Sequence, residues 1–178
     1  MRTLVGYATV HGSTAQIAQR IAGVLRQRDA VVDVLPLAQV EAPGTYDALI
    51  LGSAIHNQAW LPEASGFVHR HRAELAARPV WLFSVGMSDG LPRPVRRAAR
   101  DGQNRRLAAA LRDVVHPRGH GLFSGVCRAG NLPRWAGVLF RCLGGRFGDY
   151  REWAQIEGWA RDIARELDAD RIRSTRDT

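Results

Sequence analysis

The chain contains no lysine; all 25 of its basic residues are arginine. A bias toward arginine codons explains that more simply than any mechanism does. Cysteine is scarce as well. Cys127 and Cys142 stand alone, with no Cys-x-x-Cys spacing. That excludes a disulfide scaffold and argues against a thiolate metal centre, so two partly buried thiols and no metal site are expected. No apolar run approaches the ~20 residues that a membrane-spanning helix requires. The opening MRTLVGYATV lacks the long apolar stretch of a signal peptide and reads as a first buried strand. From these absences we expect a cytoplasmic chain, soluble or held peripherally at the inner face of the cell membrane.

The 178 residues, 46% of them apolar, fit one domain with a substantial core. We expect that domain to span residues 1–168, with a charged, frayed tail over 169–178. The net charge of +8 is regional. Twelve arginines fall between Arg93 and Phe147 against only Asp101 and Asp113, so this segment carries +10 and the remainder −2. Such a face suits an anionic partner: a membrane surface, a nucleic acid or an acidic substrate.

Hydrophobic patterning predicts strands over residues 4–8, 30–35, 46–52, 79–85 and 121–126. The third is a continuous apolar run, YDALILG, as in a parallel strand covered on both faces. Helical spacing predicts helices over 14–28, 62–77 and 103–115. A final helix runs to residue 168, with Asp149 and Glu152 at the spacing of a capping box. Strands and helices alternate, which implies an α/β fold with helices on both faces of a parallel sheet. Residues 128–148 form an irregular basic insertion.

In an open parallel sheet, ligands bind beyond the carboxyl ends of the strands. Three loops therefore matter. The first is Thr9-Val10-His11-Gly12-Ser13-Thr14, which runs into a helix. A helix N-terminus offers unpaired N–H groups and a positive dipole end, so an anion can sit there without lysine or arginine. Thr9, Ser13 and Thr14 add hydroxyls, and Gly12 allows close approach. A phosphate monoester fits this loop; the alternative is that Ser13 or Thr14 merely caps the helix. The loop lacks the Gly-Lys-Ser/Thr of a nucleoside-triphosphate site and the Gly-x-Gly-x-x-Gly of a dinucleotide site. The second loop, Ser53-Ala54-Ile55-His56-Asn57-Gln58, could bond the polar edge of a flat ring. Trp60 could cover a ring face or serve only in packing. The third, Ser84-Val85-Gly86-Met87, could line the other side. No Ser-His-Asp set or carboxylate pair is evident, so catalytic residues are left unassigned, with His56 as the one candidate for proton transfer.

The pattern Val5-x-Tyr7-x-Thr9-x-x-Gly12-x-Thr14 resembles the flavodoxin phosphate signature. Further stretches carry a more particular likeness: YDALILGSAIHNQAWLPEASGFV (46–68), LFSVGM (82–87), the basic insertion and GDYREWAQIEGWARDIA (148–164). Together they are similar to the bacterial menaquinone-dependent protoporphyrinogen oxidases and their flavodoxin-domain relatives. The resemblance implies a flavodoxin-like, doubly wound sheet of five parallel strands in the order 2-1-3-4-5, with the basic insertion near the fifth. It implies FMN, with Thr9, His11, Gly12, Ser13 and Thr14 holding the phosphate. Ser53, Ala54, Ile55, His56 and Asn57, with Ser84, Val85, Gly86 and Met87, would flank the flavin ring. It implies electron transfer between a porphyrin-like donor and a quinone or other acceptor, and contact of residues 128–147 with a membrane or substrate.

Two other readings remain. One is a single-domain electron carrier, though carriers tend to present an acidic face and this chain is basic. The other is a flavodoxin-like interaction module without cofactor, which fold alone never excludes. A specific nucleic-acid binder lacks any supporting motif. Oligomeric state is not legible.

Overall fold

The computed structural model describes residues 1–28, 30–86, 114–127 and 147–176. The expected alternation is present: β1 (Arg2–Ala8), α1 (Ser13–Arg26), β2 (Val31–Pro36), β3 (Ala48–His56), β4 (Ala59–Trp60), α2 (Pro62–Arg70), α3 (Arg72–Ala76), β5 (Val80–Gly86), β6 (Gly119–Ser124), β7 (Val126–Cys127), β8 (Gly148–Asp149) and α4 (Trp153–Arg176).

Five strands pair in parallel in the order β2-β1-β3-β5-β6. Counting parallel strands alone, this is the expected order 2-1-3-4-5. A sixth strand, β4, pairs antiparallel with β3 and was not anticipated. The segment from Ser53 to Trp60 is therefore not a free loop. β3 continues to His56 because Ser53 and Ala54 remain in register with Ser84 and Val85 of β5. The chain then reverses through Asn57 and Gln58, with φ of 48° and 63°. Two positive φ values in a two-residue turn match the right-handed twist of a hairpin.

The sheet is buried on both faces. On one, Ile17, Ile21 and Leu25 of α1 and Ile156 and Ile163 of α4 pack with Val5, Ile50, Trp81 and Phe83. On the other, Phe67, Val68 and Leu75 of α2 and α3 pack with Leu4, Leu49, Leu51 and Leu82. Alternate residues of β3 and β5 thus enter opposite cores, which is why their sequences read as unbroken apolar runs. The ring of Phe83 lies where a Cβ on Gly52 would stand, 2.0 Å from that position, so only glycine fits there.

Three further expectations need correction. The segment 62–77 is two helices, α2 and α3, meeting at His71 (φ −101°). His71 Nδ1 lies 2.9 Å from Glu74 Oε1, and the same carboxylate accepts the Gly44 N–H at 2.9 Å, which holds the corner. The capping box does not form. Asp149 lies in β8 and pairs with Arg151 at 2.5 Å, while the Glu152 carbonyl accepts the first helical N–H bonds. Finally, α4 continues to Arg176 instead of fraying after Asp168. Asp168 reaches Arg28 at 3.3 Å and Asp170 reaches Arg118 at 2.5 Å, so the last turns are tied to the body of the protein.

The predicted helix 103–115 is described only at its end, where residues 114–115 are helical. Met87, Cys142 and the insertion 128–146 lie outside the described residues. The strands on either side of that insertion, β7 and β8, pair antiparallel.

Candidate functional site

Parallel register brings the carboxyl ends of β1, β3 and β5 to one edge of the sheet: Ala8 lies beside Ser53, and Ser53 beside Ser84. The loop after β1 is organised by Thr9, whose Oγ1 accepts the Gly12 N–H at 3.0 Å. Gly12 is the N-cap of α1, at φ 84° and ψ −11°, and its carbonyl accepts the Gln16 N–H at 3.1 Å. A left-handed N-cap favours glycine, since a Cβ there is strained. The space beside Gly12 is open, with nothing within 4 Å of the position a Cβ would take.

No side chain caps α1. The simple capping alternative for Ser13 and Thr14 is thus not what the structure shows. The first N–H groups of the helix, which have no intrahelical partner, face the loop with the positive end of the dipole. Thr14 is the telling residue. It is 0% exposed, and its hydroxyl finds no hydrogen-bond partner among the described residues. A buried, unsatisfied hydroxyl costs about 1–3 kcal/mol. An anion received at this helix start would supply the missing acceptor.

A cavity of about 180 Å³ opens beside the loop. Val10, His11 and Ser13 line it from β1 and α1, Ala54, Ile55 and His56 from β3, and Val85 and Gly86 from β5. Gly125 and Val126 complete the wall. The structure thus brings side chains from all three anticipated loops to one cavity. No carboxylate, lysine or arginine lines it among the described residues.

Other anticipated residues are placed differently. Ser53 and Ser84 are both 0% exposed. Ser53 Oγ donates to the Ala54 carbonyl at 2.8 Å and accepts the Leu61 N–H at 3.0 Å. Ser84 Oγ accepts the indole N–H of Trp60 at 2.7 Å and lies 2.9 Å from His120 Nε2. Both hydroxyls are engaged in joining strands. Trp60 is buried in the core beneath α2, so it packs and does not cover a ring. Asn57 forms the hairpin turn and does not line the cavity. His11 and His56 both line the cavity and are exposed.

Sequence reasoning missed Val10, Gly125 and Val126. The fifth strand was read as running through Val126, but the parallel ladder ends at Ser124. Gly125 then steps out of it. Its N–H donates to the Gly86 carbonyl at 2.8 Å, and its own carbonyl accepts the Tyr150 N–H at 3.2 Å. The glycine in GLFSGV was the available signal. Just beyond, Arg151 is held by Asp149 and by Gln16 in the first turn of α1, and stacks over Trp153. The carboxylate of Asp149 keeps that guanidinium charged even more firmly than usual.

The flavodoxin domain model matches residues 4–142. The chain belongs to the flavodoxin domain family. It is 24% identical over 176 residues to the protoporphyrinogen IX dehydrogenase [quinone] of Escherichia coli K12, covering 92% of this chain and 95% of that protein. Among solved structures it is similar to a short-chain flavodoxin associated with a non-canonical PDU bacterial microcompartment, with a TM-score of 0.58, 12% identity, and 93% and 98% of the two chains covered. It is also similar to flavodoxin 2 of Bacillus cereus, at TM-score 0.54 and 18% identity over 92% and 97% of the chains. Among the described residues, no helix is long and apolar enough to cross a membrane, and no three His, Cys, Asp or Glu side chains gather as metal ligands.

Proposed function

We propose that the protein is an FMN-dependent oxidoreductase that binds the FMN phosphate in the loop Thr9–Thr14. The observation that carries this reading is the buried, partnerless hydroxyl of Thr14 at an uncapped helix start. Gly12 leaves the approach open, and Thr9 and Ser13 offer further hydroxyls. The cavity is smaller than the ~300–1,000 Å³ that encloses a drug-sized ligand. A ligand of FMN's size would therefore rest one end in it. Ala54, Ile55 and His56 would flank one side of the ring, and Val85, Gly86 and Val126 the other.

When bound, FMN supplies the redox chemistry, and the protein contributes binding, access and electrostatics. No carboxylate lines the cavity among the described residues, and of the residues read as flanking the ring His56 is the one that could move a proton. The likeness to the Escherichia coli enzyme supports a porphyrinogen-type donor and a quinone acceptor. Residues 128–147 carry four arginines and no acidic residue, with Trp135, Leu139 and Phe140 among them. That composition suits peripheral contact with anionic lipid, where each basic residue near the surface contributes ~1 kcal/mol. A lipid-soluble substrate would then reach the flavin from the membrane face of a cytoplasmic protein. In sequence, residues 128–147 follow β7, whose Val126 lines the cavity.

The electron-carrier reading keeps one supporting observation: the chain matches a short-chain flavodoxin almost end to end. Anaerobic stopped-flow separates the two. FMN-loaded protein is mixed with protoporphyrinogen, and the flavin absorbance is followed. Bleaching of the flavin, then recovery on adding a menaquinone analogue, is expected of the oxidoreductase. An unreactive flavin that exchanges electrons only with protein partners would favour the carrier. A purified protein that binds no FMN would overturn both.

A further inference from the structure

A continuous run of hydrogen bonds joins the β5 side of the cavity to the loop that opens α1. It starts at Gly86, whose carbonyl accepts the Gly125 N–H at 2.8 Å, and the Gly125 carbonyl in turn accepts the Tyr150 N–H at 3.2 Å. The next residue is Arg151, whose guanidinium donates to the side-chain carbonyl of Gln16 on α1. The Gln16 N–H donates to the Gly12 carbonyl at 3.1 Å, and the Gly12 N–H donates to Thr9 Oγ1 at 3.0 Å. Gly86 and Gly125, at one end of this run, line the cavity. Gly12 and Thr9, at the other, belong to the loop read as the phosphate site.

Arg151 is where the run crosses from one side to the other, and its geometry is fixed. Nε and Nη2 donate to the two oxygens of Asp149 at 2.8 and 2.5 Å, and Nη1 donates to Gln16. Asp149 is itself held in β8, paired in register with Val126 of β7, which lines the cavity. The guanidinium lies over Trp153, 4.6 Å from the ring centroid, and that of Arg20 on α1 lies 5.0 Å from the same ring. The Arg151 side chain is only 12% exposed, so it is not a freely moving surface charge. A planar fork meets a carboxylate with two nitrogens and keeps a third for another acceptor. An ammonium group is a compact point charge and does not reproduce that geometry.

We propose that Arg151 is a positioning residue for the FMN site, holding the start of α1 at the spacing from the wall of Gly86, Gly125 and Val126 that one FMN molecule spans. This rests on the FMN reading above. Arg151 does not line the cavity, and it acts through Gln16. A ligand that reaches both the phosphate loop and the ring wall depends on the distance between them. A ligand that engages the ring wall alone does not. Fixing that distance in advance lowers the ordering cost of binding. The signature of the role is a loss of affinity confined to the flavin that carries the phosphate.

Wild type, Arg151→Lys, Gln16→Ala and the double variant are titrated with FMN and with riboflavin, which lacks the phosphate, and flavin fluorescence is followed. Arg151→Lys keeps the charge and removes the fork. Gln16 is exposed on a helix, where alanine is the best helix former, so Gln16→Ala should fold and decides alone if Arg151→Lys does not. Each single variant is expected to raise the FMN dissociation constant about three- to tenfold, and that of riboflavin less than about twofold. Both substitutions break the same link, so the double variant should bind FMN no more weakly than Arg151→Lys. Unchanged FMN affinity in either folded single variant, an equal loss with riboflavin, or losses that multiply in the double variant would each overturn the positioning role while leaving the FMN site standing. Failure of wild type to bind FMN would overturn both.

Discussion

Ser13 and Gly125 meet across the mouth of the cavity: a methyl group on Gly125 would stand 3.2 Å from Ser13 Oγ and 3.0 Å from Val85 Cγ1. The loop that opens α1 is thus braced against the chain that leaves the fifth parallel strand. A Cβ there would press on both side chains, and a branched one more so. Gly125→Val should push Ser13 and Val85 apart and intrude on the cavity. Overpacking of this kind costs about 1–3 kcal/mol, so FMN affinity should fall about tenfold or more. Quenching of FMN fluorescence on titration checks this, with far-UV circular dichroism confirming that the variant is folded.

Gly23 provides the opposite case. It lies within α1, on its exposed side, with nothing within 4 Å of a Cβ position. Gly23→Ala should stabilise the protein by about 0.5–1 kcal/mol, through a lower entropy cost of forming the helix. Urea unfolding should show a higher midpoint with an unchanged slope, and FMN affinity should not move.

Ser84 joins the hairpin strand β4 to the sheet through Trp60. Ser84→Ala would leave the buried indole N–H without its acceptor. The cost should be about 1–3 kcal/mol in chemical denaturation, with a change in the tryptophan emission of the folded protein. Were the serine a flavin ligand rather than a structural tie, FMN affinity would fall while the stability of the apoprotein stayed constant.

Tyr46 sets an alkaline limit. Burial, then its hydrogen bond to Asp33, raises its phenol above the ordinary value of 10.0. A group raised in the folded state contributes stability that is fully present below its unfolded value and is lost as pH rises through the folded one. The contribution of Tyr46 should therefore hold up to about pH 10 and decline above it. Tyr46→Phe should lower stability at pH 8 and show a shallower fall between pH 9.5 and 11. Parallel denaturation series across that range check both effects.

Much of the architecture was legible because a doubly wound sheet forces both faces of its central strands to be apolar, so YDALILG and PVWLFSV stand out. The junction of β1 and α1 was legible because a strand, a short run of hydroxyl residues with glycine, and a helix follow in order. The hairpin was not: Asn57-Gln58 lacks the Asn-Gly signature, and its positive φ at Gln58 is imposed by the pairing of His56 with Ala59. Ser53 and Ser84 looked like ligands because polar residues ending apolar strands usually meet solvent. Strand parity instead points both toward the α2 side, where Leu61, Trp60 and His120 engage them. The ordering of the last turns of α4 was hidden because Arg28 and Arg118, which pair with them, are distant in sequence.

The central claim is that the orphaned hydroxyl of Thr14 is completed by the phosphate of FMN, and Thr14→Val tests it most directly. The substitution keeps the shape of the side chain and removes the hydroxyl. Without ligand, relief of a buried unsatisfied group should leave the apoprotein as stable as wild type or more stable, by up to about 1–3 kcal/mol. With FMN, loss of a hydrogen bond to a charged group is worth ~1.5–3 kcal/mol, so the dissociation constant should rise roughly tenfold or more. FMN titration of wild type and Thr14→Val apoproteins, alongside their denaturation curves, reads both signs at once. A variant that is no less stable and binds FMN at least tenfold more weakly is the predicted result. Unchanged FMN affinity in Thr14→Val would contradict the account.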